Sequence, residues 1–184
     1  MEKEQQSFWQ KEHSANSVRK KSLEGLNYLS IPLEQLPTKA HSEDSFIMEY
    51  IETLSTLSGC KIVNFTGISN TDLKLTYGTA NITVLTEYDQ NYTILVTTLQ
   101  KWADKLYSLA DMDSARAVLE YAVSIGSDVT RTYLLLADIY KKQGTGERIE
   151  DLITAASKLT TPSGKIILRK LQEKMPEQPT YDNE

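Results

Sequence analysis

The chain has 184 residues, 40% hydrophobic and 24% charged, which is enough for one cored domain or for a domain with an arm. With 25 acidic residues against 20 basic ones the net charge is −5 and the pI about 5.2, which excludes a dedicated duplex-binding protein and leaves no nucleic-acid partner expected. The single cysteine, Cys60, excludes an internal disulfide and any multi-thiol zinc site, and the opening MEKEQQSFWQKEH lacks the apolar core of a secretory signal. No apolar run approaches the ~18 residues that span a bilayer, so the expectation is a soluble, cytoplasmic protein.

Four of the five prolines lie near the ends, and between Pro37 and Pro162 there are 124 residues without one. Since proline breaks helices, that span reads as largely helical. Residues 1–41 read as a charged opening (1–22) followed by a docked arm, in which Leu26, Tyr28, Leu29, Ile31, Leu33 and Leu36 meet an apolar surface. From Ser42, a plausible N-cap, Phe46, Ile47, Tyr50, Ile51, Leu54 and Leu57 recur at helical spacing until Gly59. Residues 60–67 form a connector. Asn70 is expected to cap a short helix that stops at Gly78, after which Ile82, Leu85 and Tyr88 lead towards the next one.

From about Val96 the chain repeats itself at an offset of 34 residues. Leu99 falls on Tyr133, Trp102 on Leu136, Ala103 on Ala137, Leu106 on Tyr140, Ala110 on Gly144, Leu119 on Ile153 and Ala122 on Ala156. Large meets large and small meets small, as antiparallel helix pairs require where backbones cross closely. The expected helices run from about Tyr92 to Leu109, Asp113 to Ile125, Val129 to Lys142 and Arg148 to Leu159, with a final helix from Ser163.

This pattern resembles the tetratricopeptide repeat over residues 96–162, plus a C-terminal capping helix over 163–175. Ala103, Leu106, Ala115, Leu119 and Ala122 match in the first unit, and Tyr133, Leu136, Ala137, Tyr140, Gly144, Ile153 and Ala156 in the second. Ile149 departs from the usual small residue, and Ser127 and Thr161 stand where proline is common. The fold expected is all-α: an α-solenoid of antiparallel helix pairs with an extended N-terminal arm, an unrelated antiparallel bundle being the alternative. Residues 42–175 would form the helical domain, with the helices of 42–95 covering the first repeat, and residues 176–184 a disordered tail.

Chemistry is sparse. His13 and His41 lack metal-ligand spacing, Cys60 beside Ile62 and Val63 reads as core filler, and Gly144-Thr-Gly146 and Ser163-Gly164-Lys165 read as turns. Asp111 and Asp113 read as helix caps. The Asn-X-Thr triplets at Asn64, Asn81 and Asn91 read as chance in a region rich in Asn and Thr. No enzyme, cofactor or metal is expected. The resemblance implies a noncatalytic adaptor whose concave face binds a peptide or partner helix. Thr97, Gln100, Asp104, Tyr107 and Ser108 in the first unit, with Arg131, Leu134, Asp138, Lys141 and Lys142 in the second, would line that face; Gln100, Asp104, Tyr107, Arg131, Asp138, Lys141 and Lys142 are the candidate partner-binding residues. The alternative is a structural or membrane-tethered domain acting through its N-terminal arm and helices. Phe8 and Trp9 followed by Lys11, Arg19, Lys20 and Lys21 look like a segment beside a membrane, and more weakly the opening resembles the soluble part of uncharacterised bacterial proteins with one membrane helix ahead of such a domain.

Overall fold

The computed structural model describes residues 2–175; the expected tail, 176–184, lies outside them. Among the described residues the chain is all-helical, with no strand: α1 (Glu2–Asn16), α2 (Ser45–Ser58), α3 (Asn70–Tyr77), α4 (Ile82–Ser108), α5 (Met112–Ser124), α6 (Thr130–Lys142), α7 (Ile149–Ser157) and α8 (Pro162–Lys174), with single 3-10 turns leading into α4 and α7. Two compact units are formed, one from the residues up to Pro32 with Glu52–Leu95, the other from Leu33–Ile51 with the residues from Val96 onward.

In the first unit the opening is a helix and not an extended arm. Glu, Lys and Gln make α1 a good helix former without an apolar stripe, and Ala15 is its one buried hydrophobic residue. It lies on α3, held by Lys11 to Asp72 at 2.7 Å, by Lys74 to Glu12 at 3.0 Å, and by the Thr71 hydroxyl, which also donates to Glu12. The cap of α3 is Ser69 and not Asn70: its Oγ accepts from the Asp72 amide. Gly78 ends α3 at φ +89°, where a Cβ would stand 2.4 Å from the Arg19 carbonyl oxygen. The connector over 60–67 is irregular, yet it buries Ile62, Val63 and Phe65; its backbone pairs with Leu29 and Tyr88. Val63, Phe65, Leu73, Leu85 and Tyr88 form a core against which the partly buried Leu23, Leu26 and Tyr28 pack.

The second unit starts with a strap, Leu33–Asp44, leading into α2. Asp44 caps α2, not Ser42, by accepting from the Phe46 and Ile47 amides at 3.0 and 3.2 Å. Beyond Val96, α6 packs on α5, α7 and α8, while α7 packs on α5 and α8. Trp102, Ala103, Leu106, Ala115, Leu119, Ala122, Tyr133, Leu136 and Ala137 are fully buried, so most of the size pattern maps onto the core; Ile153, matched with Leu119, is only half-buried. The 34-residue offset also recurs in backbone geometry. Ala110 and Gly144 both turn left-handed, at φ 61° and 73°. Their amides bond to Tyr107 and Lys141, and the next amides, Asp111 and Thr145, reach back to Leu106 and Tyr140. Helix α4 begins ten residues before the expected Tyr92, and α7 ends two before Leu159.

Candidate partner-binding surface

The expected binding residues come from the last three turns of α4 and from α6, which run side by side in the same sense: Gln100 meets Thr132 at one end and Tyr107 meets Lys142 at the other. Gln100 is buried, and its Oε1 accepts from the Thr132 hydroxyl at 2.7 Å, so its side chain is a strut between helices and not an exposed contact. Its Nε2 has no hydrogen-bond partner. Arg131 reaches Asp104 Oδ1 with Nε and Nη2, both at 2.8 Å, and this bond holds the guanidinium pKa above its ordinary value. Lys142 lies 4.9 Å from the centre of the Tyr107 ring and donates to its hydroxyl. Asp138 accepts from Lys174 of α8, and Lys141 is exposed. Arg131 with Asp104 and Lys142 with Tyr107 thus pair α6 with α4, and Asp138 pairs α6 with Lys174 of α8, while Lys141 is in none of these pairs.

The residues considered for chemistry are scattered. His41 lies in the strap, where Nε2 is 3.2 Å from Asp111 Oδ2 and Nδ1 3.8 Å from Glu43. Asp111 also caps α5 by accepting from the Ser114 amide at 3.0 Å; burial works to raise its pKa, but the bonds from Ser114 and His41 outweigh it and lower it. Cys60 is exposed, contrary to the core reading, because the chain turns at Gly59 and returns inward only at Ile62. Gly164 sits within α8, not in a turn; a Cβ there would stand 2.9 Å from that of Leu159. Each Asn of the three Asn-X-Thr triplets is engaged: Asn81 donates to the carbonyls of Lys21 and Tyr77, Asn91 to that of Lys61, and Asn64 to the Tyr92 hydroxyl. Among the described residues no group of three or more His, Cys, Asp and Glu is placed to hold a metal ion, and no helix is long and apolar enough to cross a membrane.

One feature of the surface had no signal in the sequence. Between α5, α6 and α7 lies a pocket of about 180 Å³, lined by Val123, Leu136 and Leu152 and rimmed by Glu120, Ser124, Tyr140, Arg148 and Asp151. The Arg148 guanidinium stacks 4.5 Å over the Tyr140 ring and donates to Glu120 at 2.7 Å, which also accepts from the Tyr140 hydroxyl at 2.8 Å. Burial, helped by Glu120, raises the Tyr140 pKa well above the ordinary phenol value. Three helices must converge to make this pocket, and only their packing shows it.

No protein-family model matches the chain, and neither a curated protein nor a solved structure matches it significantly.

Proposed function

We propose that residues 96–162 are two tetratricopeptide-like repeats capped by α8, and that the chain is a noncatalytic interaction module which binds a peptide or helix of another protein on the face of α4, α6 and α8. The observation that carries this reading is the recurrence, at one offset, of the left-handed turn, its backbone bonds and the buried size pattern. Asp104, Tyr107, Arg131, Asp138, Lys141 and Lys142 are then the contact residues. Their pairing across helices favours binding, because side chains already ordered lose less entropy in a complex. A cytoplasmic location goes with this reading.

The test is recovery of partners from lysate by the wild type beside an Arg131→Glu, Lys142→Glu double variant, after circular dichroism shows equal helicity. A partner recovered by the wild type and lost in the variant supports the face, and one retained by both overturns it.

A second reading rests on α1, where Phe8 and Trp9 are 55% and 67% exposed and touch edge to face at 5.8 Å. Here the N-terminal helix is the functional surface, beside a membrane or a partner. Phe8→Ala with Trp9→Ala removing a partner that the double variant keeps would favour it.

A further inference from the structure

Helix α1 is packed over only its second half. Lys11 and Glu12 meet Thr71, Asp72 and Lys74, and the Ala15 carbonyl accepts from the Thr79 hydroxyl. The two helices therefore run in the same sense, and the residues before Lys11 overhang the start of α3. Every side chain from Lys3 to Gln10 is exposed. On that overhang stand Phe8 and Trp9, 55% and 67% exposed, while Ile68, 50% exposed, lies just ahead of α3 at the same end. Large apolar side chains are thus presented to solvent where α1 packs on nothing.

The other end of α3 carries positive charge. Arg19, Lys20 and Lys21 are fixed by their backbone on the corner between α3 and α4. The Lys21 amide donates to the Tyr77 carbonyl at 3.0 Å, the Lys21 carbonyl accepts from Asn81 Nδ2 at 2.8 Å, and Gly78 admits the Arg19 and Lys20 backbone where a Cβ would not fit. All three side chains are exposed, and none makes an ion pair among the described residues. The corner beneath them, residues 75–86, carries no charged residue. Of the neighbouring charges, Lys11 is closed on Asp72 and Glu12 on Lys74, Glu2, Lys3 and Glu4 lie at the far end of α1, and Glu24 follows the triplet in sequence. Three bases therefore face one open acid, in a chain whose net charge is −5.

The cationic corner and the apolar overhang are separated by the eight residues of α3, about 12 Å at the helical rise. One inserted side chain or one bound anion cannot serve both. A lipid surface can, because it presents anionic headgroups over a wide area beside an interfacial layer that accepts aromatic rings. We infer that this part of the first unit docks on an anionic lipid surface, with Phe8 and Trp9 at the headgroup boundary and Arg19, Lys20 and Lys21 on the lipid phosphates and carboxylates. The inference rests on the second reading above and gives the N-terminal helix one kind of partner.

The test is flotation of the full chain with vesicles of phosphatidylcholine, alone or mixed with phosphatidylserine. The wild type is expected to rise with the mixed vesicles, to stay behind with the neutral ones, and to bind less as salt is raised. Arg19→Gln with Lys20→Gln and Lys21→Gln should weaken binding about a hundredfold, the usual gain from three bases beside an anionic surface. Phe8→Ala with Trp9→Ala should weaken it about tenfold and leave its salt dependence unchanged. All the substituted side chains are exposed, so circular dichroism should show equal helicity. The proposal is overturned if neutral vesicles bind equally, or if the mixed ones bind nothing. It is equally overturned if Lys158→Gln with Lys165→Gln and Arg169→Gln, the same charge change on exposed residues of the second unit, weakens binding as much. Polyuridylate, a soluble polyanion, holding the chain as tightly as the mixed vesicles would overturn it too. A chain that ignores the vesicles yet loses a protein partner on Phe8→Ala with Trp9→Ala overturns the lipid and keeps the second reading; one that does neither overturns both.

Discussion

The two units are held together by different means. In the second, helices bury matched large and small side chains, and twelve side chains led by Trp102, Tyr133 and Tyr140 are the largest fully enclosed residues of the described chain, most of them beyond Val96. In the first, a smaller apolar core is supplemented by side chains that reach segments far away in sequence: Asn81 to the Lys21 backbone, Asn91 to that of Lys61, Thr79 to that of Ala15, and Glu12 to the side chains of Thr71 and Lys74. Packing tolerates any residue of the right size, whereas a clasp depends on one donor meeting one acceptor. The first unit should therefore be more sensitive to isosteric polar changes, and the second to changes of volume.

Trp102→Ala should give the largest effect, about 3–5 kcal/mol of lost stability on urea denaturation, since it leaves a cavity in a fully enclosed site. Asn81→Leu, which keeps the volume, should cost about 2–3 kcal/mol by removing the side-chain donor of the Lys21 carbonyl and one of the two donors of the Tyr77 carbonyl, whereas Thr132→Val in the second unit should cost nearer 1 kcal/mol. Equal costs for those two would break the contrast between the units. The matched turns sharpen it within the second unit: Ala110→Gly should stabilise by about 0.5–1 kcal/mol, because Ala110 holds a left-handed conformation, and Gly144→Ala should destabilise by a similar amount.

The smallest effect is one of pH on α1. Bonds from Thr71 and Lys74 hold the Glu12 carboxyl below its ordinary pKa. Its contribution is therefore present above the unfolded value of about 4.3 and disappears as pH falls through the lower folded value. Hydrogen exchange should show α1 amides losing protection below about pH 4 while α6 keeps its own; protection of α1 unchanged down to about pH 2 would show that Glu12 is not what holds it.

The same contrast explains what the sequence disclosed. Helices α5 to α8 were legible to within about two residues because their core follows a size pattern with a fixed period. Helix α1 was not, since Phe8 and Trp9 are its only large apolar residues and its attachment is ionic. Caps were misplaced where competent residues crowd together, Asp44 beside Ser42 and Ser69 beside Asn70. Of the candidate face, the helix positions were legible but the pairings were not, because Arg131 with Asp104 and Lys174 with Asp138 depend on interhelical distances. Burial of Gln100 was missed for a related reason: a polar residue gives no apolar signal when its partner, Thr132, is 32 positions away.

The chain holds two tryptophans in opposite surroundings, Trp9 at 67% exposure on α1 and Trp102 wholly enclosed in α4. Excited near 295 nm, the protein should emit as a sum of two bands, a long-wavelength one that iodide quenches and a short-wavelength one that it does not reach. Anything that covers α1 would then remove the quenchable fraction alone, giving a label-free optical reading of that helix in the unmodified chain.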